Sequence, residues 1–235
     1  MMDATPREPS MPWWFDRKNA VLIVAGTMLL LLLVAACVYM PYHREQRIAR
    51  EIESVGGKVD FATVWANWIP GPVQERLPLW NRVTYVDLDN TQVTDAGLEH
   101  LKGLTNLLRL SLNDTQVTDT GLGHLKGLTH LANLYLDRTQ VTDAGLVHLK
   151  GLTSLKALRL QNCVHVTDAG LEHLKRLTGL QSLVLSKTQV TDTGLVHLKG
   201  LTTLKCLSLE NTHVTEPGKA SLQKALPGCT IEPSR

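Results

Sequence analysis

Residues 103–126 read GLTNLLRLSLNDTQVTDTGLGHLK, and residues 127–150 read GLTHLANLYLDRTQVTDAGLVHLK. The pattern returns at 151–175 (GLTSLKALRLQNCVHVTDAGLEHLK, one residue longer near Cys163) and at 176–199 (RLTGLQSLVLSKTQVTDTGLVHLK). An earlier unit enters at Val83, and a later one starts at Gly200 and decays after Val214. A period of 24 residues held over about six units predicts a solenoid, in which each unit contacts only its neighbours.

Each unit reads physically. Leu107, Leu110 and Leu112 make an apolar, partly alternating segment and predict a short strand. Thr115 stands where the chain turns off that strand, and its hydroxyl can bond local backbone groups. Val117 anchors the turn. Thr118-Asp119 predicts a helix N-cap, with the row Asp95, Asp119, Asp143, Asp168 and Asp192 capping in successive units. Leu122 and Leu125 share one face of a short helix, and Gly127 suits a left-handed residue at its end. One unit cannot bury these leucines, whereas stacked units can.

The repeat LxxLxLxxTxVTDxGLxHLKGLT, from Val83 to about Leu209, resembles the leucine-rich repeat family. Cys163 and its one-residue insertion are most similar to the cysteine-containing subtype. The resemblance implies an α/β fold: a right-handed solenoid with short parallel strands on a concave face and short helices on a convex one. The subtype is found in bacterial repeat proteins of unknown role and in the substrate-binding part of F-box ubiquitin-ligase adaptors. No F-box-like segment precedes the repeats here.

The chain has 235 residues, a net charge of +2, 43% hydrophobic residues and four cysteines, which excludes a disulfide scaffold and gives no electrostatic case for nucleic acid. The apolar content is uneven. Ala20 to Met40 (AVLIVAGTMLLLLLVAACVYM) carries no charge over 21 residues, enough for one membrane-spanning helix. Trp13, Trp14, Tyr39 and Tyr42 flank it as interfacial residues do. Val34-Ala35-Ala36-Cys37 resembles a lipobox, which would make Cys37 a lipidation site, although apolar residues continue past it. Basic residues on the two sides of the span nearly balance; the short leader ending in Arg17-Lys18 favours a C-terminal domain outside the cytoplasm, periplasmic or extracellular.

The expected organisation is an N-terminal tail (1–19), an anchor (20–40), a juxtamembrane helix and N-terminal cap (41–82), repeats (83–215) and a C-terminal cap (216–235). The cap reading rests on the helical pattern of Arg44 to Val55, the stop at Gly56-Gly57, and a segment containing Trp65, Trp68 and Trp80. At the far end, Glu216-Pro217 opens a helix and Cys229 to Ile231 offers a last edge strand.

No nucleophile motif, phosphate-binding glycine loop or acid–base pair is present, so the sequence points away from an enzyme and calls for no cofactor. His100, His124, His148, His173 and His197 form a row on the helical side that does not converge on a metal. Cys206 and Cys229 could form a bridge in an oxidising compartment. The chemistry that varies from unit to unit lies on the concave strand positions: Tyr85, Asp87 and Asp89; Arg109, Ser111 and Asn113; Asn133, Tyr135, Asp137 and Arg138; Arg159 and Gln161; Lys187; and Glu210. Tyr135 with Arg109 and Arg159 makes the expected anchor cluster, since Tyr and Arg dominate binding hot spots. The leading expectation is a membrane-anchored module that binds a protein partner on this face. An envelope-structural or glycan-binding role is the alternative, and an F-box-like adaptor a more distant one.

Overall fold

A computed structural model describes residues 25–30, 32–33, 39–63 and 81–232. The chain divides into two units, 1–43 and 44–235. In the first, residues 25–30 and 32–33 are helical. Most of the expected span at 20–40, with Cys37, lies outside the described residues, as do Trp65, Trp68 and Trp80. Among the described residues no helix is long and apolar enough to cross a membrane.

The second unit is an eight-stranded sheet in strict sequence order. Its strands are β1 (Lys58–Thr63), β2 (Asn81–Asp87), β3 (Arg109–Ser111), β4 (Asn133–Tyr135), β5 (Ala157–Arg159), β6 (Ser182–Val184), β7 (Cys206–Ser208) and β8 (Thr230–Glu232). β1 and β2 form an antiparallel pair with an irregularity at Asp60/Phe61; every later pairing is parallel. Leu110, Leu134, Leu158, Leu183 and Leu207 stand in register across the sheet and point inward, each at most 1% exposed. Full burial of one such side chain stabilises by about 1.5–3 kcal/mol.

Helices close the other side: α1 (Met40–Ser54), α2 (Asp95–Leu98), α3 (Asp119–Leu125), α4 (Asp143–Leu146), α5 (Asp168–Leu174) and α6 (Glu216–Ala225). α2 and α4 run on into 3-10 turns (Glu99–Gly103 and Val147–Gly151), and in the next-to-last unit a 3-10 turn, Gly194–Leu198, replaces the α-helix. Leu122 and Leu125 are fully buried, as their spacing predicts. Gly127 does not take the left-handed conformation expected of it: among the described glycines only Gly56, after α1, has positive φ (86°). A side chain on Gly127 would meet open space, and Arg176 occupies the equivalent place one unit further on.

The left-handed residue sits elsewhere. Asn90, Asp114, Arg138, Asn162, Lys187 and Asn211 have φ between 54° and 60°, one per unit, just after the strand. There the chain swings off the sheet, and Asn and Asp tolerate the conformation best. The following Thr91, Thr115, Thr139, Thr188 and Thr212 each donate a hydroxyl to the leucine carbonyl three residues back, at 2.6–2.7 Å. Cys163, fully buried at this position, donates instead to Leu136 O of the preceding unit at 3.1 Å.

Both ends of the core are covered. Ile48, Ala49 and Ile52 of α1 are buried, and Ile48 and Ile52 join the core of the repeats. The Glu45 carboxylate accepts the Val83 N–H at 2.9 Å and lies 3.8 Å from Arg82. Burial raises the Glu45 carboxyl above its ordinary value, against the lowering effect of those two partners. At the other end Leu222 of α6 is fully buried, and Gln223 donates to the carbonyls of Leu226 and Cys229 at 3.0 and 2.9 Å.

Candidate functional site

Two side-chain rows project from the open face of the sheet. One runs Tyr85, Arg109, Asn133, Ala157, Ser182, Cys206; the other runs Asp87, Ser111, Tyr135, Arg159, Val184, Ser208. Strands β2 to β5 carry the aromatic and charged groups, and β6 and β7 carry small ones.

Much of the chemistry expected to be free is committed to the fold. Past the strand ends, the polar side chain of one unit accepts a backbone N–H of the next. Asp89 Oδ1 accepts from Asn113 N, Asn113 Oδ1 from Asp137 N, and Asp137 Oδ1 from Gln161 N, each at 2.8 Å. Ser111 Oγ donates to Asp89 Oδ1 at 2.6 Å, and Asp87 accepts the Asp89 N–H at 3.0 Å. Ser111 and Asp137 were expected on an accessible surface, but they are only 3% and 6% exposed. Asp137 replaces water for a backbone N–H of the next unit, and the Ser111 hydroxyl is taken up by the side chains of Asp89 and Asn113.

The basic residues divide in the same way. Arg159 binds Asp137 Oδ2 through Nε at 2.7 Å and Nη2 at 2.6 Å. Arg138 makes a two-pronged pair with Asp114, both contacts at 2.6 Å, which raises its pKa. Lys187 is exposed on a left-handed backbone, with its N–H on the carbonyl of Glu210, whose own side chain is exposed. So Arg159, expected in the anchor cluster with Tyr135 and Arg109, is held by Asp137 of the preceding unit.

Arg109 is different. It is exposed, and among the described residues no carboxylate pairs with it. Its guanidinium carbon lies 5.7 Å from the Tyr85 ring centre and 5.8 Å from that of Tyr135, which reaches it diagonally from β4. The two rings' negative faces hold the cation in place without neutralising it. Tyr85 in turn donates to Asp87; burial first, then that carboxylate, raises the phenol above its ordinary value. Beside this stack the strand entrances form an open depression of about 590 Å³ lined by Asp60, Tyr85, Leu108, Arg109, Asn133 and Lys156, among others. Sequence reasoning missed Asp60, Leu108 and Lys156. β1 brings Asp60 opposite Tyr85, and the strand-to-strand register places Leu108 and Lys156 at the rim.

The invariant side of the repeat also reads differently from expectation. The N-cap of α3 is Thr118, whose hydroxyl accepts the Thr120 N–H. Asp119 does not cap its own helix. Its carboxylate reaches forward to the next unit and accepts Thr142 N at 2.8 Å and Thr142 Oγ1 at 2.6 Å. The same pair of bonds joins Asp95 to Thr118, Asp143 to Thr167, Asp168 to Thr191 and Asp192 to Thr215. Gly145 is required by this arrangement, because a Cβ there would collide with Asp119 Oδ1. The signal was available: Thr-Asp-x-Gly recurs as a block, and a cap alone demands no glycine.

His100 is exposed, with Glu51 3.3 Å from its Nε2; His124, His148, His173 and His197 are half-buried. Among the described residues no three His, Cys, Asp or Glu side chains come together to hold a metal. Cys206 is exposed, Cys229 is buried, and both thiols are free, with no bridge joining them in this structure.

The family model described as Leucine Rich repeat matches residues 151–175. Among solved structures, internalin C2 of Listeria monocytogenes is similar at 28% identity and a TM-score of 0.48, over 63% of this chain and 70% of that one. Another Listeria monocytogenes internalin, inlF, matches at 27% identity and a TM-score of 0.47, covering 63% of this chain but only 46% of its own. A leucine-rich-repeat protein of Leptospira interrogans matches at 22% identity and a TM-score of 0.42, over 57% and 38% of the two chains. No curated protein sequence matches the chain. Residues 151–175 match the family directly and the flanking units repeat their sequence and geometry, so the array is a leucine-rich-repeat solenoid.

Proposed function

We propose that this chain is a membrane-tethered recognition module that binds a protein partner on the open, N-terminal half of its sheet. The observation that carries this is the contrast among the basic residues: Arg138 and Arg159 are locked to Asp114 and Asp137, while Arg109 stands unpaired between two tyrosines. An unpaired cation held over aromatic rings is a ready-made hot spot. The reading is that of a binding module, consistent with a leucine-rich-repeat array and with a site built for contact and not for proton or group transfer.

The tether is the uncharged stretch 20–40. Met28, Leu29, Leu30, Leu32 and Leu33 are each more than half exposed, a run of apolar surface that a soluble chain would bury and a bilayer would cover. Placement of the repeat domain outside the cytoplasm follows the basic leader and belongs to the same proposal.

The test is crosslinking capture from intact cells, comparing the full chain with an Arg109→Glu/Tyr135→Ala variant. Both residues lie outside the buried core, so the fold persists. A selective partner captured by the parent chain and lost from the variant supports the reading; equal capture by both, or no selective partner, refutes it. The compartment of the captured partner reports the topology.

A further inference from the structure

The Arg109 depression is chemically one-sided. Arg109 and Lys156 line it toward β3 and β5, and neither has a carboxylate partner among the described residues. Asp60 lines it from β1, and Asp87 sits beyond Tyr85 on β2. At about 4.8 Å per strand, Arg109 and Lys156 stand roughly 10 Å apart along the sheet, and the acidic pair flanks them on the β1–β2 side. The floor between them is Ala132, and Leu108 at the rim is 48% exposed, so the surface is open and partly apolar. Backbone groups here offer nothing further: the N–H of Leu108 is bonded to Thr84 O, and those of Ala132 and Asn133 to Leu108 O. Recognition must therefore run through side chains.

Building on the proposed partner-binding role, we infer that this depression takes an acidic residue of an extended peptide segment, with its carboxylate on the Arg109 guanidinium. The two tyrosine faces fix the guanidinium and leave its N–H edge for a planar, two-oxygen acceptor, the geometry in which arginine binds carboxylates best. Lys156 adds a second positive charge on the same side. Asp60 and Asp87 set the direction of the segment, repelling a second acid and favouring a basic residue of the peptide toward β1. A segment crossing the strands at about 3.3 Å per residue spans the cationic side in three to four residues.

The experiment selects a displayed random-dodecamer peptide library on the full chain in detergent micelles. Fluorescence anisotropy then measures one enriched peptide, its Asp/Glu→Asn/Gln form, and the variants Arg109→Gln and Lys187→Gln. The expected result is enrichment of acidic peptides and about a tenfold or larger loss on amidation. Arg109→Gln should show the same loss and no further loss with the amidated peptide, and Lys187→Gln should bind as the parent does. No enrichment, enrichment without acidic bias, or acid dependence that survives Arg109→Gln would each overturn the inference. If capture from cells still depends on Arg109 and Tyr135 while the acid dependence is absent, this inference falls and the binding role stands. If both are absent, both fall.

Discussion

The helix-entry side of the solenoid and its open sheet face treat charged residues in opposite ways. At the helix entries Asp95, Asp119, Asp143, Asp168 and Asp192 do one job five times, each bonding a threonine of the next unit. On the sheet face no two units carry the same set, and the charges that are paired, such as Arg159 with Asp137, sit beside one that is not. Repetition marks the residues that join units. Variation marks both the sites where one particular pair of neighbouring units shares a polar contact and the site where charge is left for something outside the chain.

Breaking the joint should cost most. Gly145→Val places side-chain atoms where Asp119 reaches Thr142, and should destabilise by about 3 kcal/mol through overpacking and loss of both bonds. A shift of the denaturant midpoint checks this. Asp119→Ala removes the same two bonds without a clash and should cost about 2 kcal/mol, leaving partner capture unchanged. If Asp119→Ala instead abolished capture at full stability, the division between the two sides would be wrong.

Smaller effects sharpen the contrast. Lys187 holds φ of 58° with no side-chain feature to compensate, whereas Asn90, Asn162 and Asn211 occupy the same position at ease. Lys187→Asn should therefore stabilise by about 0.5 kcal/mol, read from thermal melts. The smallest effect is at the N-terminal cap. Glu45 has a raised carboxyl in the folded state, so the folded chain binds that proton more tightly than the unfolded chain does. Its contribution is fully present below the ordinary value of 4.5 and is lost as pH rises through the raised one. Glu45→Gln should flatten that part of the pH–stability profile; an unchanged slope between pH 4 and 7 would show that the carboxylate is better solvated than its burial implies.

The repeat made the strands, helices and leucine core legible, because a period of 24 leaves one register in which the recurring leucines are buried. Two local features were misread for physical reasons. Gly127 looks like a helix stop, but the last turn tightens and needs no left-handed residue; that conformation falls instead on Arg138 and its equivalents, where an Asn/Asp bias was the clue. Asp119 looks like a cap, but Thr118 already caps, and the longer carboxylate reach is used across units. On the sheet face, Tyr135 and Arg109 could be placed together from the sequence, and the pairing of β2 with β3 adds Tyr85 to them. That Ser111 and Asp137 are withdrawn and Arg159 neutralised could not, because it depends on which acceptor lies one unit away.

The most direct test measures melting temperature and partner capture in parallel for two full-chain variants, Asp119→Ala and Arg109→Glu/Tyr135→Ala. The account predicts a crossed result: the first lowers the melting temperature and keeps the partner, and the second keeps the melting temperature and loses the partner. Loss of stability in the second, or retention of the partner by it, would contradict the claim that the unpaired arginine on the sheet face is the working surface.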